Sequence, residues 1–222
     1  MDLKEYFPFW NQLTPKQQQT LQISIHKKTF SKGAILHYGL EDCVGLLLPV
    51  SGQLRVYMAS EEGKEITLYR LFERDICLFS ASCMLKNIMF DVCIQAEQDT
   101  TLLHIPVEIY KNLMEESLAV AHYTNELMAS RFSDVMWLVD QILNKKLDTR
   151  VAAFLIEESQ LTQSSEIHVT HEQIAHHLGS VREVVTRMLK YFQTEGLVAL
   201  TRGSIKIIDE KKLKELALVS LK

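Results

Sequence analysis

With 222 residues, 47% of them apolar, the chain has enough hydrophobic material to bury a core in each of two small domains. It contains no run of eighteen apolar residues and no basic N-terminal segment leading into an apolar stretch and a small-residue cleavage site, which excludes a membrane-spanning helix and predicts a cytoplasmic protein. The net charge of −4 is unevenly spread: from Thr170 onward nine Lys and Arg face six Asp and Glu, against fifteen and twenty-two before it, so a polyanionic partner is expected on the C-terminal part.

In chain order, Leu3 to Ile25 has helical spacing, with Thr14 as an N-cap and Pro15 at the first helical position. From Lys27 to about Ile105 the period changes to short β-type runs, among them Val44–Val50, Gln53–Met58, Glu65–Leu71 and Thr100–Ile105, separated by glycine-containing or charged turns. This pattern predicts an antiparallel β-roll or barrel. A long helix follows from about Pro106 through Lys146, with one break near Glu115–Ser117. Within it Met128, Phe132, Val135, Val139 and Ile142 recur at alternating spacings of four and three, the rhythm of a coiled-coil seam. Two readings are open, a core helix packing on its own domain or a helix that pairs two copies of the chain. Leu127, Met136, Leu138 and Leu143 widen the stripe enough to serve both.

Beyond Asp148 the spacing predicts a short helix (Val151–Glu158), a polar loop (Gln160–Ser165), a strand (Glu166–Val169) and two closely spaced helices. Thr170-His171-Glu172-Gln173 and Ser180-Val181-Arg182-Glu183 both fit the capping-box pattern, Gly179 lies between the two helices, and Gly196 ends the second. Val198–Ile208, interrupted by Arg202-Gly203-Ser204, reads as a hairpin, and Glu210–Leu218 as a last amphipathic helix. Two capped helices joined by a glycine turn, with a hairpin behind them, make a winged helix-turn-helix whose second helix can lie in the major groove of DNA. On that helix Val184, Val185, Met188, Leu189 and Phe192 form an apolar stripe, while Arg182, Glu183, Thr186, Arg187 and Lys190 form the opposite face. Arginine donates two hydrogen bonds to guanine and glutamate accepts from cytosine, so this face suits a G/C-containing half-site.

The stretch Thr170–Leu200, THEQIAHHLGSVREVVTRMLKYFQTEGLVAL, closely resembles the DNA-binding signature of the Crp/Fnr family of bacterial regulators, including Arg182-Glu183, Arg187 and Lys190 in order. Gly33, Gly39 and Gly52 match turns of that family's cyclic-nucleotide-binding-type β-roll, and with the long helix the resemblance spans nearly the whole chain. It implies an α+β protein with a sensory β-roll at 1–115, a dimerisation helix at 116–146 and a winged helix-turn-helix at 147–222. It places Arg182, Glu183 and Arg187 on base-reading positions. Thr170, His171 and the wing residue Arg202 fall on or near phosphate-contacting positions, supported by Thr186 and Lys190. The implied partners are double-stranded DNA, a second copy of the chain and, for an activator, RNA polymerase. Val181 departs from the family, where many relatives carry a small hydroxyl residue able to reach the DNA backbone.

The family's cyclic-AMP members hold the nucleotide with a Gly-Glu pair and an Arg-Ser or Arg-Thr pair. Here the corresponding stretches read Arg74-Asp75-Ile76-Cys77-Leu78-Phe79-Ser80 and Met89-Phe90-Asp91-Val92-Cys93, with no phosphate-binding arginine and an aspartate near the anion position, so cyclic AMP is not the expected effector. The cysteine cluster of the family's iron–sulfur branch is also missing, since the first cysteine is Cys43. The four cysteines lack CxxC spacing, which excludes a disulfide framework or a zinc ribbon. Two readings of Cys77, Cys83 and Cys93 stand side by side: a thiol, metal or haem sensor, or small apolar core residues. His171, His176 and His177 do not share one helical face and predict no metal site. No nucleophile–base pair, phosphate-binding glycine loop or paired carboxylates point to catalysis. The residues name no cofactor, and the effector, a small molecule or a redox change, is not identified by them. A second reading, in which the winged domain serves protein contacts in a ligand- or redox-sensing module, differs in lacking salt-dependent duplex binding.

Overall fold

The computed structural model describes residues 3–39, 44–84 and 91–218. The chain forms two compact units, one from Met1–Met58 and Leu68–Val135 and the other from Ala59–Thr67 and Met136–Lys222.

The N-terminal unit begins with two 3₁₀ turns, Leu3–Glu5 and Trp10–Gln12, before helix α1 (Pro15–Ser24) starts on a capping box between Thr14 and Gln17. The expected helix from Leu3 is thus broken. Pro8 lacks the amide that a continuous helix needs, and the turns bury Phe7, Phe9 and Trp10 together. The strands β1 (His26–Phe30), β2 (Ile35–Tyr38), β3 (Leu46–Ser51), β4 (Leu54–Ala59), β5 (Glu65–Leu71), β6 (Cys93–Ala96) and β7 (Thr100–Ile105) then form two sheets, ordered β1-β7-β3 and β2-β6-β4-β5. Side chains alternate across β3 and β7. Leu47 and Leu102 point into the layer shared with Leu54, Val56, Leu71 and Ile94, whereas Leu46, Leu48, Leu103 and Ile105 face the N-terminal aromatics, Tyr110 and Leu113. Both faces of β3 are buried, which is why its sequence is an uninterrupted apolar run. Gly52, at φ +86°, makes the turn between β3 and β4, where a Cβ would lie 2.5 Å from the Asp99 carbonyl.

Helix α2 (Val107–Glu116) and helix α3 (Leu118–Asn144) are separated by the extended residue Ser117, at the expected break. The C-terminal unit is built on α4 (Leu147–Thr162), whose Val151–Ile156 segment is wholly buried. This helix takes in the first half of the polar stretch read as a loop, Gln160–Thr162, whose residues are all exposed, and the chain turns at Gln163, with φ +50°, leaving Gln163–Ser165 as the loop. Strand β8 (Glu166–Ile167) leads into α5 (His171–Leu178) and α6 (Arg182–Thr194). A hairpin of β9 (Val198–Thr201) and β10 (Ser204–Ile207) and a last helix, α7 (Glu210–Ala217), complete the unit, with the sheet ordered β8-β10-β9. Ile174, Val185, Leu189, Phe192, Ile205 and Leu213 pack with α4 into one core.

Candidate nucleic-acid interface

The pair α5–α6 is set by local chemistry. Thr170 caps α5 through a complete capping box with Gln173, and Gly179 ends it in the left-handed conformation at φ +64°. The second expected capping box does not form. The Ser180 amide closes the preceding helix on the Ala175 carbonyl, so α6 starts one residue later, with Val181 as its N-cap and no side-chain cap. The first-turn amides of α6 are therefore left for an external acceptor. Arg150 fixes the turn from below, donating from Nη2 to the Leu178 carbonyl at 2.6 Å, and burial lowers the pKa of its guanidinium. Sequence reasoning missed Arg150, since its partner lies 28 residues away and no spacing rule links them.

Helix α6 divides as its sequence predicts. Val185, Leu189 and Phe192 are buried, while Arg182, Glu183, Arg187 and Lys190 are exposed. Glu183, Arg187 and Lys190 recur at four and three residues and so share one face. At its N-terminal end an open cleft of about 310 Å³ is lined by Thr170, His171, Glu172 and Arg182 from the helices and by Thr201, Gly203 and Ser204 from the β9–β10 hairpin. Three residues expected to meet DNA thus share one cleft, and Arg202 stands exposed at the hairpin tip between two lining residues. His171 Nδ1 and Thr186 Oγ1 are hydrogen-bonded at 2.9 Å, tying α5 to the middle of α6. Burial holds the His171 imidazole below its ordinary pKa of 6.5, and the positive charges of Arg182 and Lys190 push the same way.

Residues 149–216 match the family model for the Crp-like helix-turn-helix domain. Across the whole chain, a crystal structure from Eubacterium rectale, described as a transcriptional regulator of the Crp/Fnr family, is 56% identical, covers 96% of this chain and 99% of its own, and superposes with a TM-score of 0.94. The chain belongs to the Crp/Fnr family of transcriptional regulators. Curated relatives are more distant. The cyclic AMP receptor protein of Thermus thermophilus is 25% identical over 95% of this chain and 96% of its own length. The fumarate and nitrate reduction regulatory protein of Vibrio cholerae is 27% identical over 90% and 81%.

Within this Crp/Fnr chain the remaining expected sites are distributed as follows. On α3, Phe132, Val139 and Ile142 are exposed along with Met136 and Leu143, and Val135 is half-buried. Met128 instead packs against the cores of the N-terminal unit, so the exposed stripe begins at Phe132. Cys77 and Cys93 are buried and in no disulfide, and burial raises the Cys77 pKa although bonds from Ser80 oppose it. The Cys83 side chain and the stretch Met89-Phe90 lie outside the described residues. Among the described residues there is no cluster of three or more metal-ligating side chains, and no helix is long and apolar enough to cross a membrane. His176 and His177 are half-buried. The His177 ring packs 5.2 Å from that of Phe154, and its Nδ1 is hydrogen-bonded to Thr67 at 2.8 Å.

Proposed function

We propose that this regulator acts as a homodimer that reads an inverted-repeat DNA site with two copies of α6, each half-site being G-rich and similar to the family's TGTGA. The observation that carries the reading is the cleft where Thr170, His171 and Arg182 meet the wing, next to the exposed Arg182-Glu183, Arg187 and Lys190. A phosphate held in that cleft would fix the register of the helix, leaving Arg182, Glu183 and Arg187 for base edges. The test is a binding selection from random duplexes across a salt series. The expected result is a two-fold-symmetric site bound less tightly as salt rises; enrichment of no symmetric site would refute the reading.

A phosphate next to His171 would raise a pKa that the free protein holds down. The complex would then carry more protons than its free components, so affinity is expected to increase as pH falls through the region at and below 6.5. Stability of the free protein has the opposite sign, because the unfolded imidazole takes up its proton first and folding is weakened as pH falls through 6.5. Duplex titrations at pH 7.5 and 6.0 should therefore show a steeper pH dependence for the parent than for His171→Gln. Equal slopes would remove His171 from the phosphate contact.

The effector is not cyclic AMP on this reading. Three guanidiniums of the N-terminal unit already face carboxylates: Arg70 pairs with Glu97 at 2.9 Å, Arg131 with Asp134 at 3.0 Å, and Arg74 with Glu5 at 3.4 Å. Burial of Cys77 and Cys93 and the raised Cys77 pKa favour these two as core residues over sensors. No catalysis is assigned, and RNA polymerase enters only if the regulator activates.

A further inference from the structure

Helix α6 carries Arg182, Thr186 and Lys190 at every fourth position, one row along its surface, and His171 at the start of α5 is held at the middle of that row. The imidazole Nδ1 and Thr186 Oγ1 are hydrogen-bonded at 2.9 Å, and which of them donates is decided by the other bonds each can make. A threonine inside a helix can send its hydroxyl hydrogen to the carbonyl four residues back, and Thr124, Thr162 and Thr194 do so here, at 2.8, 2.7 and 3.1 Å. Thr186 makes no such bond to the Arg182 carbonyl; among the described residues the partner of its hydroxyl is His171. Its hydrogen is therefore available to Nδ1. A ring nitrogen that accepts carries no hydrogen of its own, so the hydrogen of the neutral imidazole sits on Nε2. Nε2 is left open to solvent, with no partner among the described residues, and the ring lines the cleft with Thr170, Glu172 and Arg182.

We propose that Thr186 is the positioning residue for His171: its hydroxyl donates to Nδ1, fixes the ring hydrogen on Nε2 and presents that N–H to a DNA phosphate, so that the neutral imidazole already makes the contact. The inference rests on the DNA-binding reading above, and it takes Thr186 itself off both phosphates and bases. A hydroxyl can reverse its role. When the ring gains a proton, Nδ1–H donates to Oγ1 and the hydroxyl hydrogen turns to the Arg182 carbonyl, so one pair serves both charge states and Nε2–H keeps its direction. The charged groups around the ring are Arg182 and Lys190 on α6 and Glu172 beside it on α5, with Arg202 at the hairpin tip. Cations outnumber the carboxylate, which disfavours the imidazolium in the free protein and makes the neutral donor the working form near neutral pH.

Three variants of the full-length chain test this. Thr186→Val keeps the shape of the side chain without the hydroxyl, Thr186→Ser keeps the hydroxyl, and His171→Gln removes the ring. In the protein alone at pH 7.5, proton–nitrogen NMR correlations of the imidazole report which nitrogen carries the hydrogen, with His171→Gln identifying the signals. The parent and Thr186→Ser should show a single Nε2–H ring, and Thr186→Val a mixture of the two neutral forms. An Nδ1–H ring in the parent, or a valine variant whose nitrogen shifts match the parent's, would overturn the proposal. Against the selected duplex at the same pH, Thr186→Val should raise the dissociation constant about three- to tenfold, as loss of one hydrogen bond implies, while Thr186→Ser stays within about twofold. The base consensus should not change. Added to His171→Gln, the valine should have no further effect beyond about twofold, because it acts through the ring. A relaxed consensus, or a loss undiminished in the His171→Gln background, would make Thr186 a DNA contact in its own right and overturn the proposal. A parent that binds no duplex at all would instead overturn the DNA-binding reading, and the NMR signature alone would still decide where the ring hydrogen lies.

Discussion

Alanine at Arg187 or Arg182 is expected to cost about 1–3 kcal/mol of duplex affinity, roughly 5- to 150-fold, and to relax base preference at one position of each half-site. Both side chains are exposed on α6, and the buried side of that helix is filled by Val185, Leu189 and Phe192, so truncation removes a donor without disturbing the core. The two arginines are five residues apart, about 7.5 Å along the axis, which lets them address successive base pairs. Alanine at Arg202, in the tip of the β9–β10 hairpin, should act differently. It should weaken all sequences nearly equally and reduce the salt slope by about one charge, because a phosphate contact carries no base information. Selection repeated with each variant distinguishes them, and an unchanged consensus for both α6 variants would take these arginines off the bases.

An aspartate at Val139 or Phe132 is expected to dissociate the dimer. In a single chain both positions face solvent, 37% and 67% exposed, so a charge there leaves the fold intact. Across a two-fold interface each aspartate would be buried opposite its own copy. The cost of about 3–5 kcal/mol for an uncompensated buried charge would raise the dimer dissociation constant by two to three orders of magnitude. Sedimentation equilibrium measures it directly, with the C-terminal core checked by unfolding. A Val139→Asp chain that remains dimeric at the parent's concentration would put the interface elsewhere on the molecule. The apolar stripe Phe132, Met136, Val139 and Leu143 covers about 16 Å of helix, enough for two or three layers of side chains.

Much of this was legible because local rules carried it. The capping box at Thr170, the left-handed Gly179, the wing turn at Gly203 and the two faces of α6 all follow from residues within four positions of one another. Where the reading failed, two local rules competed or a distant partner decided. Ser180 satisfied the capping pattern on paper, but its amide was already committed to ending α5. Polarity marked Gln160–Ser165 as a loop, which holds from Gln163 on, but α4 continues for a further solvated turn through Thr162. Met128 fits the heptad rhythm of the seam and also packs, partly buried, on the N-terminal core, because periodicity cannot say which neighbour an apolar stripe meets. The histidines at 176 and 177 were hidden for the same reason, since their partners lie about 110 residues earlier, on another element.

The sheet order β1-β7-β3 also governs how the protein must be made. Among the described residues strand β1 lies at the edge of its sheet, with β7 as its neighbour, and His26 pairs with His104 at the far end of the register. During synthesis β1 therefore waits unpaired until nearly eighty further residues have left the ribosome. Over that interval the aromatic segment before it, with Phe7, Phe9 and Trp10, has no completed sheet to pack against. The core of α5 and α6 is drawn from Val151–Ala217, and the contacts of α5 with Glu65 and Thr67 reach back to chain already made, so the pair faces no such delay. The unit synthesised first is thus one whose sheet closes late, which lengthens the time its apolar segments spend exposed during synthesis.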